Sequence, residues 1–191
     1  MRKRDAEAAL LKAAEELIAQ QGITATSLAQ IGERAGYSRG LVNHHFGNKD
    51  ALIERLAEHA QGWFTRRTAE IKAASGREAI LATIDTYLEI SLSGNKSAHA
   101  FLVMWGGSFP HDASIGGLLE SDTRARAGFE EMIIAAQSDG SINSDIDPKA
   151  AATIMLGLIR GVAAQSIVAG SDLGRDRVRA QCRKFIEAAL A

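Results

Sequence analysis

Residues 27–46 read SLAQIGERAGYSRGLVNHHF, and this run contains the signals for two short helices joined by a tight turn. Ser27 opens a Ser-x-x-Gln capping box, in which the serine hydroxyl satisfies an otherwise unpaired amide at the start of a helix. Gly36 can supply the left-handed conformation that ends this helix, and Ser38 can cap the next one two residues later. The pattern predicts helices over residues 28–35 and 39–46.

Two short helices joined through a glycine-containing turn have the geometry of a helix-turn-helix. In that motif the second helix enters the major groove of DNA, and the first crosses the backbone. The residues predicted to face inward are Leu28, Ile31 and Ala35 on the first helix and Leu41 or Val42 on the second. Arg39, Asn43 and His44 are then left to project outward. Arginine pairs bidentately with guanine edges and asparagine with adenine edges, so the second helix is predicted to read DNA.

The rest of the chain also reads as helices, which predicts an all-α protein with about nine of them. Residues 5–21 form an amphipathic pattern that Gly22 stops, and Asn48 can cap a long helix from Lys49 to about Ala73. After a joint at Ala73–Gly76, further helices are expected over residues 77–93, 98–109, 114–138, 149–169 and 175–190. No strand pattern competes with this interpretation.

Composition narrows the class of protein. The 191 residues are 46% hydrophobic and 24% charged with two prolines, which fits a soluble globular protein. The net charge of −1 gives no overall positive field, although Arg2, Lys3 and Arg4 form a short basic arm. Acidic residues stand where a signal peptide needs an apolar core, and no apolar run reaches about 18 residues. We therefore expect a cytoplasmic protein without a membrane partner.

The N-terminal quarter resembles the TetR family of repressors over residues 8–55. The matching positions are Gly22, Thr26-Ser27, Ile31, Ala35-Gly36-Tyr37-Ser38, Gly40, His45-Phe46, and Lys49 with Leu52. Three positions depart from the family pattern: Gly32 replaces the usual alanine, Tyr37 the usual valine, and Asn43 the usual tyrosine. The run from Gly40 to Lys49 is similar to the branch that includes the choline-responsive repressors of betaine synthesis.

This resemblance implies both a fold and a set of DNA-binding residues. Residues 1–48 would form a three-helix helix-turn-helix domain, 49–73 a connecting helix, and 74–191 a helical effector-binding and dimerisation domain. The implied DNA-binding residues are Ser27, Ser38, Arg39, Gly40, Asn43, His44, His45 and Lys49. Ser27 and Lys49 would meet phosphates of a double-stranded operator, and His45 would brace the backbone. The alternative is that these side chains merely cover a small helical domain.

No cofactor or metal is expected. A zinc site at His44, His45 and His59 is disfavoured because adjacent histidines on a helix point about 100° apart, and no cysteine or carboxylate completes the set. The last helix is predicted to carry Val178, Cys182, Phe185, Ile186 and Ala189 on one packed face. As the single cysteine, Cys182 can form no internal disulfide and is interpreted as a small buried side chain.

The two C-terminal helices resemble the pair that forms a four-helix dimer interface in this family, which implies a homodimer. Residues 149–169 are nearly all apolar or small, more than a helix with one buried face requires. Gly157 and Gly161 would permit close approach of a second helix. Arg160 either joins an ion pair at the interface or faces solvent at one edge, and we favour solvent.

An aromatic stripe offers a candidate effector site. Phe101, Trp105 and Phe109 lie at i, i+4 and i+8, which favours a hydrophobic core but also allows a pocket wall for an apolar or cationic effector. The candidate pocket residues are Phe101, Met104, Trp105, Phe109, Phe129, Met155 and Ile159, with His99 or Gln165 as polar contacts. The resemblance implies that a small molecule stabilises a conformation whose recognition helices are too far apart for the operator.

Two other classes of function are alternatives to a repressor. The sequence has no catalytic motif, whether Gly-x-Ser-x-Gly, His-Glu-x-x-His or a phosphate-cradling loop, so an enzyme is not expected and no catalytic residue is assigned. A helical ligand-binding or adaptor protein without operator binding is the stronger rival, because Asn43 departs from the family pattern. An activator in place of a repressor stays open.

Overall fold

The computed structural model describes residues 3–107, 116–170 and 174–191. Within those ranges the protein is all-helical, as predicted. The helices are α1 (Lys3–Ala25), α2 (Leu28–Ala35), α3 (Arg39–Phe46), α4 (Lys49–Ala69), α5 (Gly76–Leu92), α6 (Lys96–Gly107), α7 (Gly116–Ser138), α8 (Pro148–Ala169) and α9 (Arg175–Ala189). Regular helical geometry is interrupted in α1 at Gly22, where φ is +79°. Helix α4 ends at Ala69, four residues before its predicted end.

The capping residues act as the sequence predicts. The Ser27 hydroxyl accepts a hydrogen bond from the Gln30 amide at 3.3 Å, and the Ser27 amide donates to the Gln30 side chain at 2.8 Å. Gly36 adopts φ +78° at the end of α2, and Ser38 accepts from the Leu41 amide at the start of α3. These caps fix the turn between α2 and α3.

The chain forms two compact units. The first comprises Met1–Gly62 and Asn95–Ser121, and the second comprises Trp63–Gly94 and Asp122–Ala191. The functional boundaries at residues 48 and 73 remain a proposal, since these units describe packing alone.

The first unit holds its own apolar core, which is built from α1, α2, α3, α6 and the first half of α4. The side chains of Leu10, Ile18, Ile31, Val42, Leu52 and Met104 are almost fully buried there. Polar contacts fasten α6 to α1: Ser97 donates to the Glu15 carboxylate at 2.7 Å, and Lys96 to Glu16 at 3.3 Å. The Lys96 contact lowers the pKa of Glu16. Helix α6 is therefore part of the unit that carries α2 and α3.

The second unit packs α5, α8 and α9 around another apolar core, to which α7 adds Phe129, Ile133 and Ala136. On α9, Cys182 and Ile186 are buried as predicted, and burial raises the pKa of the Cys182 thiol. The prediction that Phe185 packs within the chain is wrong, because 64% of this residue is exposed. Arg183 donates to Asp85 at 2.5 Å and ties α9 to α5 through polar contacts on the other side.

Arg160 on α8 is the second correction. We expected it to face solvent, but its side chain is only 3% exposed and forms an ion pair with Asp122 of α7. The apolar sequence around Arg160 does not predict this ion pair, because Asp122 lies 38 residues earlier in the chain.

Candidate nucleic-acid interface

Helix α3 presents one polar face and one buried face. Arg39, Gly40, Asn43 and His44 are exposed, whereas Val42 is fully buried. Phe46 is also buried at the end of the helix. Because the buried residues hold α3 on the first core, its polar side chains form a strip that points away from the protein. We call this strip of four residues the reading face.

The other predicted DNA-binding residues flank the reading face in the chain. Ser27 and Ser38 are exposed at the N-terminal ends of α2 and α3. His45 is half-buried, with its ring centroid 6.0 Å from that of Phe46. Lys49 begins α4, and its amino group donates to the Thr24 carbonyl at 3.4 Å. Their contacts with phosphates remain predictions.

The charge on the reading face is available to a ligand. Among the described residues no ion pair involves Arg39, while Arg34 of α2 pairs with Glu16 at 3.3 Å. A guanidinium that is exposed and not neutralised within the chain can form two parallel hydrogen bonds with a guanine edge or a phosphate. Arg34 is thus neutralised within the chain, whereas Arg39 is exposed to solvent.

Gly32 makes the close contact between α2 and α3 possible, a role that sequence analysis missed. A Cβ atom at this position would lie 2.8 Å from the Tyr37 carbonyl oxygen and 3.0 Å from Val42 Cγ2. The Gly32 carbonyl also accepts a hydrogen bond from the Tyr37 amide at 2.7 Å. The two departures from the family pattern at positions 32 and 37 therefore meet in the turn that sets the angle of α3.

The candidate effector residues divide between the two cores. Phe101 and Met104 pack in the first core, and Trp105 is half-buried on the same helix. Phe129, Met155 and Ile159 are buried in the second core. Phe109 lies outside the described residues. Their role as a pocket stays a prediction, and within the described ranges no group of three histidine, cysteine or acidic side chains could hold a metal ion.

Helices α8 and α9 expose apolar side chains on one face each. Ile154, Leu158 and Val168 of α8 are 69%, 37% and 84% exposed, and Phe185 of α9 is 64% exposed. Gly157 and Gly161 lie along the same face of α8, and a Cβ atom at either would meet nothing within 4 Å. In the described part of the chain, α8 alone is long and apolar enough to cross a membrane, a test that core helices of soluble proteins also pass.

Comparison with known proteins places these features in a family. The sequence profile of the bacterial regulatory proteins of the tetR family matches residues 10–56. The profile of the C-terminal part of BetI-type transcriptional repressors matches residues 76–191, more than half of the chain. The chain belongs to the TetR family. The first match spans α2, α3 and most of α1, and therefore contains the reading face. The second match spans α5–α9, and therefore contains the exposed apolar side chains of α8 and α9.

Individual TetR-family relatives are distant. The BetI regulator of Paraburkholderia phymatum is 31% identical over 121 residues, which are 61% of this chain and 61% of that protein. The KstR2 repressor of Rhodococcus jostii is 27% identical over 141 residues, covering 72% of this chain and 68% of the relative. The crystal structure of FadR from Bacillus subtilis in complex with stearoyl-CoA has a TM-score of 0.86 at 16% identity and covers 96% of this chain and 99% of its own. The chain thus spans about three fifths of BetI, and the FadR likeness concerns the fold.

Proposed function

We propose that this chain is a homodimeric, cytoplasmic transcriptional repressor that binds a palindromic operator through α3 and is released by a small-molecule effector. The observation that carries the proposal is the reading face, an exposed polar strip on a short capped helix whose opposite side is buried. Arg39 supplies a fork for guanine and Asn43 a bidentate partner for adenine. Ser27 and Lys49 would position the helix through phosphates, and His45 would support the backbone contact.

Selection from genomic fragments tests operator binding. Purified protein is expected to enrich a site with two half-sites about one helical turn apart, as a dimeric helix-turn-helix protein requires. Its affinity should fall steeply with rising salt, because each neutralised phosphate releases counterions. Failure to enrich any site at low salt would favour the ligand-binding or adaptor protein without operator binding.

The exposed apolar faces of α8 and α9 support the homodimer. Clustered apolar side chains exposed on adjoining helices mark an interaction surface more often than solvent-facing structure. In a dimer with two-fold symmetry, this surface would pack against the same surface of the second copy, which is the arrangement of a self-complementary interface. The BetI-type match over α5–α9 supports the same assignment. We therefore propose α8 and α9 as the contact between two copies.

Charges placed on this surface should dissociate the dimer. Replacement of Ile154 and Phe185 together by glutamate would bury two carboxylates per copy against apolar atoms, so sedimentation should show a shift from dimer to monomer. The monomer should also lose operator affinity, because only one half-site is engaged at a time. Ile134→Glu on α7, an exposed isoleucine outside the proposed contact, is the matched control. An unchanged dimer in the double variant would refute this interface.

The effector would act by shifting a population between two arrangements of the reading faces in the dimer. Helix α4 begins directly after α3, at Lys49, and continues into the second unit, so it is the segment proposed to carry the change. The FadR complex contains stearoyl-CoA, an apolar chain with an anionic head, whereas the aromatic stripe is compatible with an apolar or a cationic ligand. An anionic and a cationic effector predict opposite charge at the binding site.

A further inference from the structure

The second unit contains an arginine in its interior. The Arg160 side chain is only 3% exposed. Its neighbours along α8 include three buried apolar residues, Leu156, Ile159 and Ala163. Its guanidinium donates to one oxygen of the Asp122 carboxylate, which is 13% exposed. Burying such a pair is expensive, and apolar residues of similar volume often serve stability equally well or better. The buried charge therefore calls for a reason beyond stability.

The Asp122 carboxylate has two arginine partners. Its second oxygen accepts from Arg126, one turn later on α7, whose side chain is 44% exposed. One carboxylate is thus shared between a guanidinium in the interior and another at the surface. If Asp122 lost the inner partner, it would keep the outer one.

The phenol of Tyr87 on α5 lies beside the same arginine. Burial raises the pKa of Tyr87, while the charge of Arg160 acts against this rise. Arg160 and Ser91 are both hydrogen-bonding neighbours of the Tyr87 hydroxyl. The ring of Phe64 meets the Tyr87 ring edge-on, with centroids 5.6 Å apart. A guanidinium, a phenol and apolar walls together suit the carboxylate end of an apolar molecule.

We propose that Arg160 and Tyr87 form the receptor for the carboxylate of an apolar organic acid, and that Asp122 fills this receptor when no effector is bound. The proposal rests on the proposed function, since it names the chemical class of the effector. Exchange of one carboxylate for another keeps every charge paired: the ligand pairs with Arg160, and Asp122 stays with Arg126. No ion is left buried without a counterion, which is the condition that makes such an exchange feasible.

The same arrangement disfavours a cationic effector. A quaternary ammonium group near Arg160 would meet a like charge in a poorly screened interior. An aromatic cage for such a cation is therefore incompatible with a site beside Arg160.

The exchange would also change how α7 is held. Asp122 is the first residue of α7 that belongs to the second unit, and its ion pair with Arg160 holds this part of α7 against α8. If a ligand carboxylate replaced Asp122 in this ion pair, α7 would lose its contact with α8 at this point. An effector would in this way exchange one discrete set of contacts for another, as switching elements do.

Three probes with the same six-carbon tail test the head group: hexanoate, hexanamide and hexyltrimethylammonium. Calorimetric titration of the full chain is expected to show binding of hexanoate, and weaker or no binding of the other two. Asp122→Asn should bind hexanoate about tenfold more tightly than the wild type, because the internal competitor is gone. Hexanoate should also raise the Tm of this variant more than that of the wild type.

Asp85→Asn is the matched control, since Asp85 also pairs with an arginine, Arg183, but in a half-exposed position between α5 and α9. It should show neither tighter binding nor the larger rise in Tm. Arg160→Gln, if folded by circular dichroism, should lose the preference for hexanoate over hexanamide. The Asp122→Asn result stands independently of whether that variant folds.

Two results would overturn the inference: equal or better binding of hexyltrimethylammonium, or an unchanged hexanoate affinity in Asp122→Asn. Operator binding by the ligand-free wild type is measured separately. Loss of that binding alongside normal hexanoate binding would contradict the proposed repressor and support the anion receptor. Normal operator binding without hexanoate preference would contradict the receptor only.

Discussion

Replacing Arg39 and Asn43 together by alanine is expected to lower operator affinity on the order of a hundredfold or more, since each bidentate base contact is worth about 1–3 kcal/mol. Both side chains are exposed on α3, so their removal leaves the apolar packing of the helix-turn-helix unchanged. Fluorescence anisotropy at one fixed salt concentration, with the recovered operator and a scrambled duplex, measures the effect. Specific binding should fall while binding to the scrambled duplex changes little.

The control for this variant is Arg66→Ala, which removes an exposed arginine from α4 outside the reading face. It should bind the operator as the wild type does. Thermal unfolding should show the same Tm for all three proteins. Wild-type affinity in the double variant would mean that α3 does not read bases, and the protein would then be better described as an adaptor.

Asp122→Asn is expected to lower the free energy of unfolding by about 3–5 kcal/mol, the usual cost of leaving one member of a buried ion pair without its counterion. The second unit has about 100 residues, so at about 4–8 °C per kcal/mol its Tm should fall by roughly 20 °C. Scanning calorimetry would measure it, because two compact units can unfold in separate transitions.

Removing both charges separates the ion pair from simple packing. Asp122→Leu with Arg160→Met should cost less than Asp122→Asn alone, since no buried ion remains unpaired. A double variant less stable than the single one would show that the two side chains contribute mainly by their shape.

The helix boundaries were predictable because short-range signals determine them. Ser27, Gly36, Ser38 and Asn48 act through hydrogen bonds and backbone angles within a few residues, and each occupies the expected cap. The reading face was predictable too, since α3 packs through Val42 and Phe46 and must expose the residues on its opposite side. Local chemistry thus predicts α2, α3 and the direction of their polar side chains.

Contacts between distant segments were not predictable in this way. The sequence shows an arginine in an apolar helix but not the aspartate that faces it from α7. Helical periodicity predicts that Phe185 shares a packed face with Cys182 and Ile186, but the positions of α5 and α8 decide how much of that face is covered, and Phe185 lies beyond their contact. Gly32 is likewise explained only by the carbonyl of Tyr37 and the side chain of Val42 against it.

If the exposed apolar side chains of α8 and α9 join two copies as proposed, operator occupancy would depend on protein concentration in the cell. If two chains must associate before both half-sites are occupied, operator occupancy at low abundance rises with the square of the chain concentration. A twofold drop in synthesis would then lower occupancy roughly fourfold under mass action. Dilution at cell division would relieve repression more sharply than for a monomeric regulator.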